Sequence, residues 1–414
     1  MTFSNRELLC AASLLLCQTA MAGIDWNITG AGARAEGMAG AFTGIADDAT
    51  SVVWNPAGLA TLVRPEASIV MRSIGNTVAY DWSSDLNSLG LDDSETSDSH
   101  ALINFLSYVH PFEMGGRKLV AGVALQSQLD GFGDEQTQSG YTDVNGNPIL
   151  DSDKSTGGVN TITPGIGFHL NPVLSLGLAA NVWTGSIEGD VVGHYDDGFN
   201  VYESGYSYTY DASGMNFNLG ALMDFSLASS PMPLKIGLNL RTPFQLDLDY
   251  SDSDQSSGTI SVDMPLMVSV GASWGFGEFL TVAADLEARQ YGDSKIKTDG
   301  AEAPLADHKQ DLMQFRLGGE YLFLSDFAVI PLRAGFRTVP TLTSDSDDVG
   351  SQTTYTQVNG VGFALGTGLI FEKMAFDLAF SSSNYENSFK SSGSEWLVTK
   401  DTINRLTLSS IFYF

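Results

Sequence analysis

Gly30 to Leu62 reads GAGARAEGMAGAFTGIADDATSVVWNPAGLATL, and the fold turns on what such a stretch can be and on the long run of strands after it. The run is rich in Gly and Ala and closes on Asn55-Pro56-Ala57-Gly58. It has neither the 3.6-residue apolar period of a long amphipathic helix nor the alternation of a strand. Small side chains let backbone pack on backbone, glycine reaches positive φ where the chain doubles back, and an Asn-Pro pair sets a turn. The stretch therefore predicts a compact plug of short turns and helical pieces. Everything after it, as far as Phe414, reads almost wholly as strand and loop.

Upstream, Arg6 and the amino terminus give a positive start, Leu8–Leu16 an apolar core, and Ala20-Met21-Ala22 a small-x-small cleavage site. Residues 1–22 are expected to be a signal peptide, with the mature chain beginning at Gly23. Leu16 stands before Cys17 where lipid attachment wants a small residue. Both cysteines, Cys10 and Cys17, fall in the expected leader, so stability must come from strand pairing and packing.

Downstream, period-2 runs fall at 66–80, 100–111, 117–130, 157–171, 174–192, 206–227, 234–250, 258–274, 279–297, 309–324, 329–340, 356–371, 374–387 and 401–413. These make about fourteen strands, each near or above the roughly 9–11 residues that a tilted strand needs to cross a bilayer. No uninterrupted apolar run reaches about 18 residues, which excludes helical spans. Connections alternate in length. PFEMGG, NPV, ASSPMP, GFGE, LSDFA and EK are short, whereas 81–99, 131–156, 193–205, 341–355 and 388–400 are longer and rich in Asp, Ser and Gly. An antiparallel barrel with one rim in the periplasm and the other outside gives that parity.

The faces are inverted relative to a soluble protein. Leu280, Val282, Ala284 and Leu286 share one side of their strand, and Asp285, Glu287 and Arg289 share the other. Met313, Phe315, Leu317 and Tyr321 oppose Gln314, Arg316 and Glu320; Ile330, Leu332, Ala334 and Phe336 oppose Arg333 and Arg337. Mean hydropathy is +0.01, as expected when lipid-facing and lumen-facing residues average out. Aromatics such as Tyr80, Trp82, Phe112, Trp274 and Phe371 gather near strand ends as interfacial girdles. The chain closes on Leu406-x-Leu408-x-Ser410-x-Phe412-x-Phe414, an alternating strand ending in phenylalanine. The formal net charge of −29 argues against a nucleic-acid partner, since phosphates need Lys and Arg opposite them. The fold class is all-β: a transmembrane antiparallel β-barrel of about fourteen strands over 66–414, sited in the cell outer membrane. A bore of that width cannot be filled by wall side chains alone. The block 23–65 is the only unassigned piece large enough to close it, hence a small N-terminal hatch in the lumen.

The three blocks of the opening stretch, GARAxGMxGA, then ADDA, then NPAGLA, resemble the N-terminal hatch of the FadL/TodX family of outer-membrane transporters for fatty acids and hydrophobic compounds. The C-terminal strand looks like the assembly signal of outer-membrane barrels, implying the barrel assembly machinery as a partner through Phe414. The resemblance implies passive transport: capture at the extracellular loops, binding in a lumenal pocket beside the hatch N-terminus, and sideways release through a kink in the third strand. A hydrophobe released into the bilayer avoids full hydration. Lipopolysaccharide and phospholipid would surround a monomer.

Asn55-Pro56-Ala57 matches the family's NPA motif, with Asn55 bonding inside the plug and Pro56 fixing a turn; a bare Asn-Pro turn anchoring the first strand is the plainer reading. Asp47 and Asp48 are expected to meet a lumen charge cluster of Glu287, Arg289, Arg316, Glu320, Arg333 and Arg337, or else to cap the next short helix. Ile24, Trp26 and Ile28 are candidates for the ligand pocket, simple plug packing being the alternative. Gly122 could supply the kink for lateral exit, unless it is an ordinary small lumen residue, and Gly131-Phe132-Gly133 is a second position for it. The five histidines have no metal-ligand spacing, and no Ser/His/acid set stands out, so no cofactor, metal or catalysis is expected. Asp92, Asp93, Glu95 and Asp98 could bind Ca²⁺ or form a solvated acidic rim.

Long-chain fatty acids lead as ligands. The acidic rim repels carboxylates, though salt screens that within about 8–10 Å, and this keeps neutral aromatic or aliphatic hydrocarbons open. A barrel acting as an assembly or secretion partner, or a general porin, are the readings from other classes.

Overall fold

Strand after strand succeeds the Gly/Ala-rich stretch in the computed structural model, which describes residues 30–83, 93–142, 148–196, 201–298, 301–305, 310–349, 352–391 and 394–414. The expected signal peptide and Ile24, Trp26 and Ile28 lie outside the described residues. In chain order β1 is Glu66–Trp82, β2 Ser94–Met114, β3 Arg117–Asp130, β4 Gly133–Thr142 and β5 Pro148–His169. Then come β6 Leu174–Thr184, β7 Ser186–Asp196, β8 Val201–Asp224, β9 Leu234–Arg241 and β10 Phe244–Asp252. β11 is Ser257–Met264, β12 Met267–Phe276, β13 Leu280–Arg289, β14 Lys295–Thr298 and β15 Ala301–Pro304. The last are β16 Leu312–Leu324, β17 Val329–Val349, β18 Gln352–Ile370, β19 Met374–Ser391 and β20 Ser394–Tyr413.

Antiparallel pairing runs β1–β2–β3–β5–β6–β8–β9–β12–β13–β16–β17–β18–β19–β20, and β20 returns to β1 over its length. The sheet is thus a closed barrel. Among the described residues the sheet is divided into twenty strands, the ring strands just named and six shorter ones that extend it. Runs that read as single strands break at Gly185, whose φ is +121°, at Thr242-Pro243 and at Pro265-Leu266. Proline cannot donate to a ladder, so a strand stops beside it. A fourth break falls at Gln290–Ser294, where a 3-10 turn intervenes. Beyond these breaks β4, β7, β10, β11, β14 and β15 extend the wall past the long-connection rim, built onto the long strands β5 and β8.

Burial confirms the inversion. Met313, Phe315, Leu317 and Leu332 are exposed on the outer face, while Gln314, Arg316 and Arg333 on alternate positions are buried. Only hydrocarbon outside makes that arrangement favourable. No helix among the described residues is long and apolar enough to cross a membrane; the strands do so. The short turns share one rim, where the two ends of the barrel meet: Phe414 N donates to Pro65 O at 3.0 Å, and the Arg64 guanidinium stands 3.8 Å from the Tyr413 ring.

Two apolar clusters form inside. One holds Met38, Phe42, Val52 and Leu59 of the opening stretch with Phe105 and Val109 of β2. The other, in the extended wall, holds Leu129, Trp183, Leu246, Met264, Tyr291 and Leu312.

Candidate functional site

The Gly/Ala-rich stretch folds as expected from its composition, into short pieces: α1 Ala33–Gly37, α2 Ser51–Trp54 and a 3-10 turn Pro56–Thr61. Each is too brief to be stable alone and is held by what surrounds it. Ring strands lie on every side. α1 touches β17, β18, β19 and β20, and the 3-10 turn touches β3, β5, β6 and β8. Ala33 N donates to Ser409 Oγ at 2.6 Å on β20. Opposite, Asp285 Oδ2 on β13 accepts from Phe42 N at 2.9 Å and Thr43 N at 2.8 Å. The segment therefore lies within the bore.

Two glycines let it lie backbone to backbone against the wall. A Cβ on Gly237 of β9 would stand 2.0 Å from Thr43 O, and one on Gly177 of β6 would stand 2.1 Å from the Pro56 carbonyl carbon. Asn55 closes the contact. Its Nδ2 donates to Thr43 O at 3.0 Å and to Ala221 O of β8 at 3.1 Å, and its Oδ1 accepts from Ala57 N at 3.2 Å. The Asn-Pro turn thus bonds both within the segment and to the wall, with Pro56 and Ala57 buried.

Charge supplies the remaining fastening. Glu36 on α1 is 5% exposed. It accepts from Arg337 Nη1 at 3.1 Å and Ser381 Oγ at 2.5 Å, and stands 3.8 Å from Arg72 of β1. Burial alone would raise this carboxyl, but Arg337, Arg72 and Arg405 outweigh it and hold the group down at about 2. Since the folded value lies below the unfolded one, the contribution is complete above the ordinary carboxyl range and is lost only as pH falls through about 2. Arg34 makes a fork onto Glu320 of β16, with Nε and Nη2 both at 3.0 Å. Glu320 also accepts from Arg333 Nε at 2.6 Å, and Arg333 Nη1 reaches Asp377 of β19 at 2.6 Å. Glu287 accepts from Arg289 Nε at 2.6 Å and Arg316 Nη1 at 3.2 Å. Arg316 also lies 5.7 Å from the Trp54 ring of α2.

The six residues Glu287, Arg289, Arg316, Glu320, Arg333 and Arg337 do line the bore, but Asp47 and Asp48 are not their partners. Asp47 Oδ1 accepts from Arg34 Nη1 at 2.5 Å, and its Oδ2 is 3.8 Å from Lys235 of β9. Asp48 Oδ1 accepts from Thr50 N at 2.8 Å and Thr50 Oγ1 at 2.5 Å. Thr50, not Asp48, precedes α2, and it caps without a side-chain bond. Arg34 is nearer along the chain and reaches Asp47 first. Sequence reasoning does not single out Glu36, Arg34, Asp285 or Asp377 for this role. Two charges inside an otherwise small and apolar run, Arg34 and Glu36, are the available signal, because a buried charge needs a partner.

Between the two apolar clusters lies a recess of about 20 Å³ lined by Trp54, Asn239, Arg241, Met267, Glu287 and Arg316. It is about the size of a single water site. Among the described residues no group of three or more His, Cys, Asp and Glu side chains could hold a metal ion. Asp92 lies outside the described residues, and Asp93 Oδ1 accepts from Trp82 N at 2.8 Å.

Gly122 does not bend β3. It pairs in continuous register with Val109 and Gly165, and a Cβ there would meet Val109 Cγ1 at 2.6 Å, so its smallness serves packing inside the wall. The irregularity comes later. The β2–β3 ladder runs from Met114–Arg117 to Phe105–Gln126 and stops. β2 continues to Ser94 along β1, and β3 continues to Asp130 along β5, each after a register shift at this level.

Residues 12–351 match the family model described as outer membrane protein transport protein (OMPP1/FadL/TodX). No curated protein matches the chain. Solved structures with this fold include a Pseudomonas aeruginosa FadL homologue, at 14% identity and TM-score 0.61, covering 93% of this chain and 98% of that one. The P. putida toluene transporter TodX aligns at 16% identity and TM-score 0.62, over 94% of this chain and 99% of that one. The Ralstonia pickettii toluene transporter TbuX aligns at 15% and 0.56, over 94% and 100%.

Proposed function

The chain belongs to the OMPP1/FadL/TodX family of outer-membrane transport proteins, and on that premise we propose that it passes hydrophobic compounds, long-chain fatty acids first, through a bore gated by its own amino-terminal hatch. The observation that carries this is the fastening of residues 30–62 inside a closed barrel by short, separable contacts. A bore so filled is shut at rest, unlike that of a general porin. The 20 Å³ recess beneath the outer apolar cluster admits no ligand as it stands, so passage requires the segment to shift. Arg241, lining that recess with Arg316, would meet a carboxylate head while Met267 and its neighbours receive the chain. Capture falls to the extended wall and release to the side of the barrel. Neutral hydrocarbons are the second reading, favoured by the toluene transporters among the structural relatives.

Cells with and without the protein should differ in uptake of labelled oleate, of labelled toluene, or of both. Equal uptake of each probe by the two strains would sink the proposal, and the preferred probe separates the two ligand classes. The lumen cluster is proposed to hold the hatch. The double variant R316A/R333A is expected to show raised single-channel conductance and altered uptake, and a closed bore with unchanged uptake would contradict it.

A further inference from the structure

The chain is acidic, with 49 Asp and Glu against 20 Lys and Arg, yet one arc of the short-turn rim carries a group of bases. Arg64 leads into β1, Arg117 and Lys118 open β3, and Lys373 lies in the turn between β18 and β19. The strands at this arc, β19, β20, β1, β2 and β3, are consecutive in the ring. Among the described residues none of the four cations is within ion-pair distance of a carboxylate, although Glu113 stands across the ladder from Lys118 and Glu372 adjoins Lys373. Arg64 is fixed without being neutralised. Its guanidinium lies 3.8 Å from the Tyr413 ring, Nη1 donates to the Glu372 carbonyl at 2.9 Å, and Glu66 attracts it only from beyond ion-pair distance.

On the lipid-facing wall the same strands form an apolar groove of about 360 Å³, lined by Ala67, Ile69, Leu106, Tyr108, Val123 and Phe412. The ladder explains it. Phe412, Ala67, Tyr108 and Val123 stand on one rung, so the small Ala67 leaves a trough between two aromatic rings. Ala67 is the second residue of β1, which sets the groove low in the wall, at the acyl-chain level of the leaflet that faces the periplasm. Two residues from Tyr108 toward the rim, His110 is exposed on the same face, and the Tyr108 hydroxyl lies 3.1 Å from its Nδ1. A polar aromatic pair on the outer face belongs at the boundary between hydrocarbon and headgroups. Apolar trough, polar boundary and unneutralised cations thus follow one another down the wall in the order of acyl chain, glycerol ester and phosphate.

We infer that this arc holds one anionic phospholipid of the periplasmic leaflet, with an acyl chain in the groove, the phosphate against Arg64 and Lys373, and Arg117 and Lys118 adding to the positive field. Charge chooses the occupant. A zwitterionic lipid gains little from four cations that lack carboxylate partners, whereas each Lys or Arg at a membrane surface adds to the attraction of an anionic one. Lipopolysaccharide is excluded by level, since it occupies the opposite leaflet. The groove also straddles the junction of β20 with β1, where the ring closes, so a lipid seated there braces the closing seam. The site is on the outside of the wall and is independent of what the bore carries.

The test is mass spectrometry of the lipid that stays with barrels extracted from membranes in mild detergent. Wild type is expected to keep anionic phospholipid at about one molecule per barrel and R64A/K373A about tenfold less or lower, the loss that two basic contacts to an anionic headgroup predict. A67F, which fills the trough, is expected to lose the lipid as well, and the heat-dependent shift in gel migration reports that each variant is folded. K154A, a lysine of the opposite rim, is expected to keep it. A second measurement places the barrel in phosphatidylcholine vesicles with and without phosphatidylglycerol. The anionic lipid is expected to raise the temperature at which the folded migration is lost in wild type and not in R64A/K373A. Equal retention by wild type and the folded variants, or no anionic lipid on wild type, would overturn the site. Free fatty acid or lipopolysaccharide retained in place of phospholipid would overturn it too.

Discussion

Alanine at Glu36 is expected to leave the barrel folded and its bore conducting. The Glu36 carboxylate sits between Arg337 and Arg72, with Ser381 as a further donor, and it is the acid that ties α1 to this side of the wall. Removing one member of a buried ion pair costs about 3–5 kcal/mol, because the opposite charge is left in a poorly solvated place. The strand ladders do not depend on Glu36, so the loss falls on the docking of the segment. Single-channel recordings in planar bilayers should show frequent open events in E36A and rare ones in wild type. Residues 30–62 should become accessible to added protease. E36Q, which keeps an acceptor but not the charge, should fall between. A bore that stays as closed in E36A as in wild type would show that the segment is held by packing alone.

Valine at Gly237 should displace the other half of the same segment, by crowding instead of lost attraction. Its Cβ would stand 2.0 Å from Thr43 O. That oxygen cannot retreat easily, because Thr43 N is bonded to Asp285 at 2.8 Å and Thr43 O itself accepts from Asn55 at 3.0 Å. Overpacking commonly costs about 1–3 kcal/mol where neighbours can yield, and a backbone-to-backbone contact yields least. Loss of the Asn55 bonds would ensue, with about 1–3 kcal/mol for each buried group left unsatisfied. The expected readout is raised conductance together with a changed uptake rate. Gly319 is the control, since a Cβ there finds its nearest neighbour at 3.9 Å, and G319A should behave as wild type. Wild-type conductance in G237V would mean that the wall bends to make room.

Alternation makes the wall legible. β3 begins and ends at the residues expected of it, Arg117 and Asp130, and the polar face of β13, β16 and β17 can be read without any knowledge of its partners. The break at Gly185 is hidden, because the inward positions keep one parity across it, Trp183 before and Ile187 after, and a pause in pairing leaves no mark on the pattern. Contacts in the bore are less readable still. Glu36 and Arg337 are 301 residues apart, and which lumen cation meets which acid depends on how the ring closes and at what stagger. Asp47 illustrates the error: four arginines on the wall suggest a partner, while Arg34, only 13 residues away, is already within reach. Gly122 fails for a related reason. A glycine in a strand marks either a bend or a tight neighbour, and only the Val109 side chain opposite decides between them.

The pairing of Glu66 with Tyr413 has a consequence for biogenesis. β1 and β20 can be laid side by side only once every strand between them has been made and exported, and contacts this distant in sequence form late. Residues 30–62 precede the first strand, so they can be indoors before the cylinder zips shut, like a model ship raised inside its bottle before the neck is sealed. A chain that closed first would have to thread its own leader end back through a finished rim. Connectivity thus favours one order of events, hairpins gathering around residues 30–62 and β1 meeting β20 last.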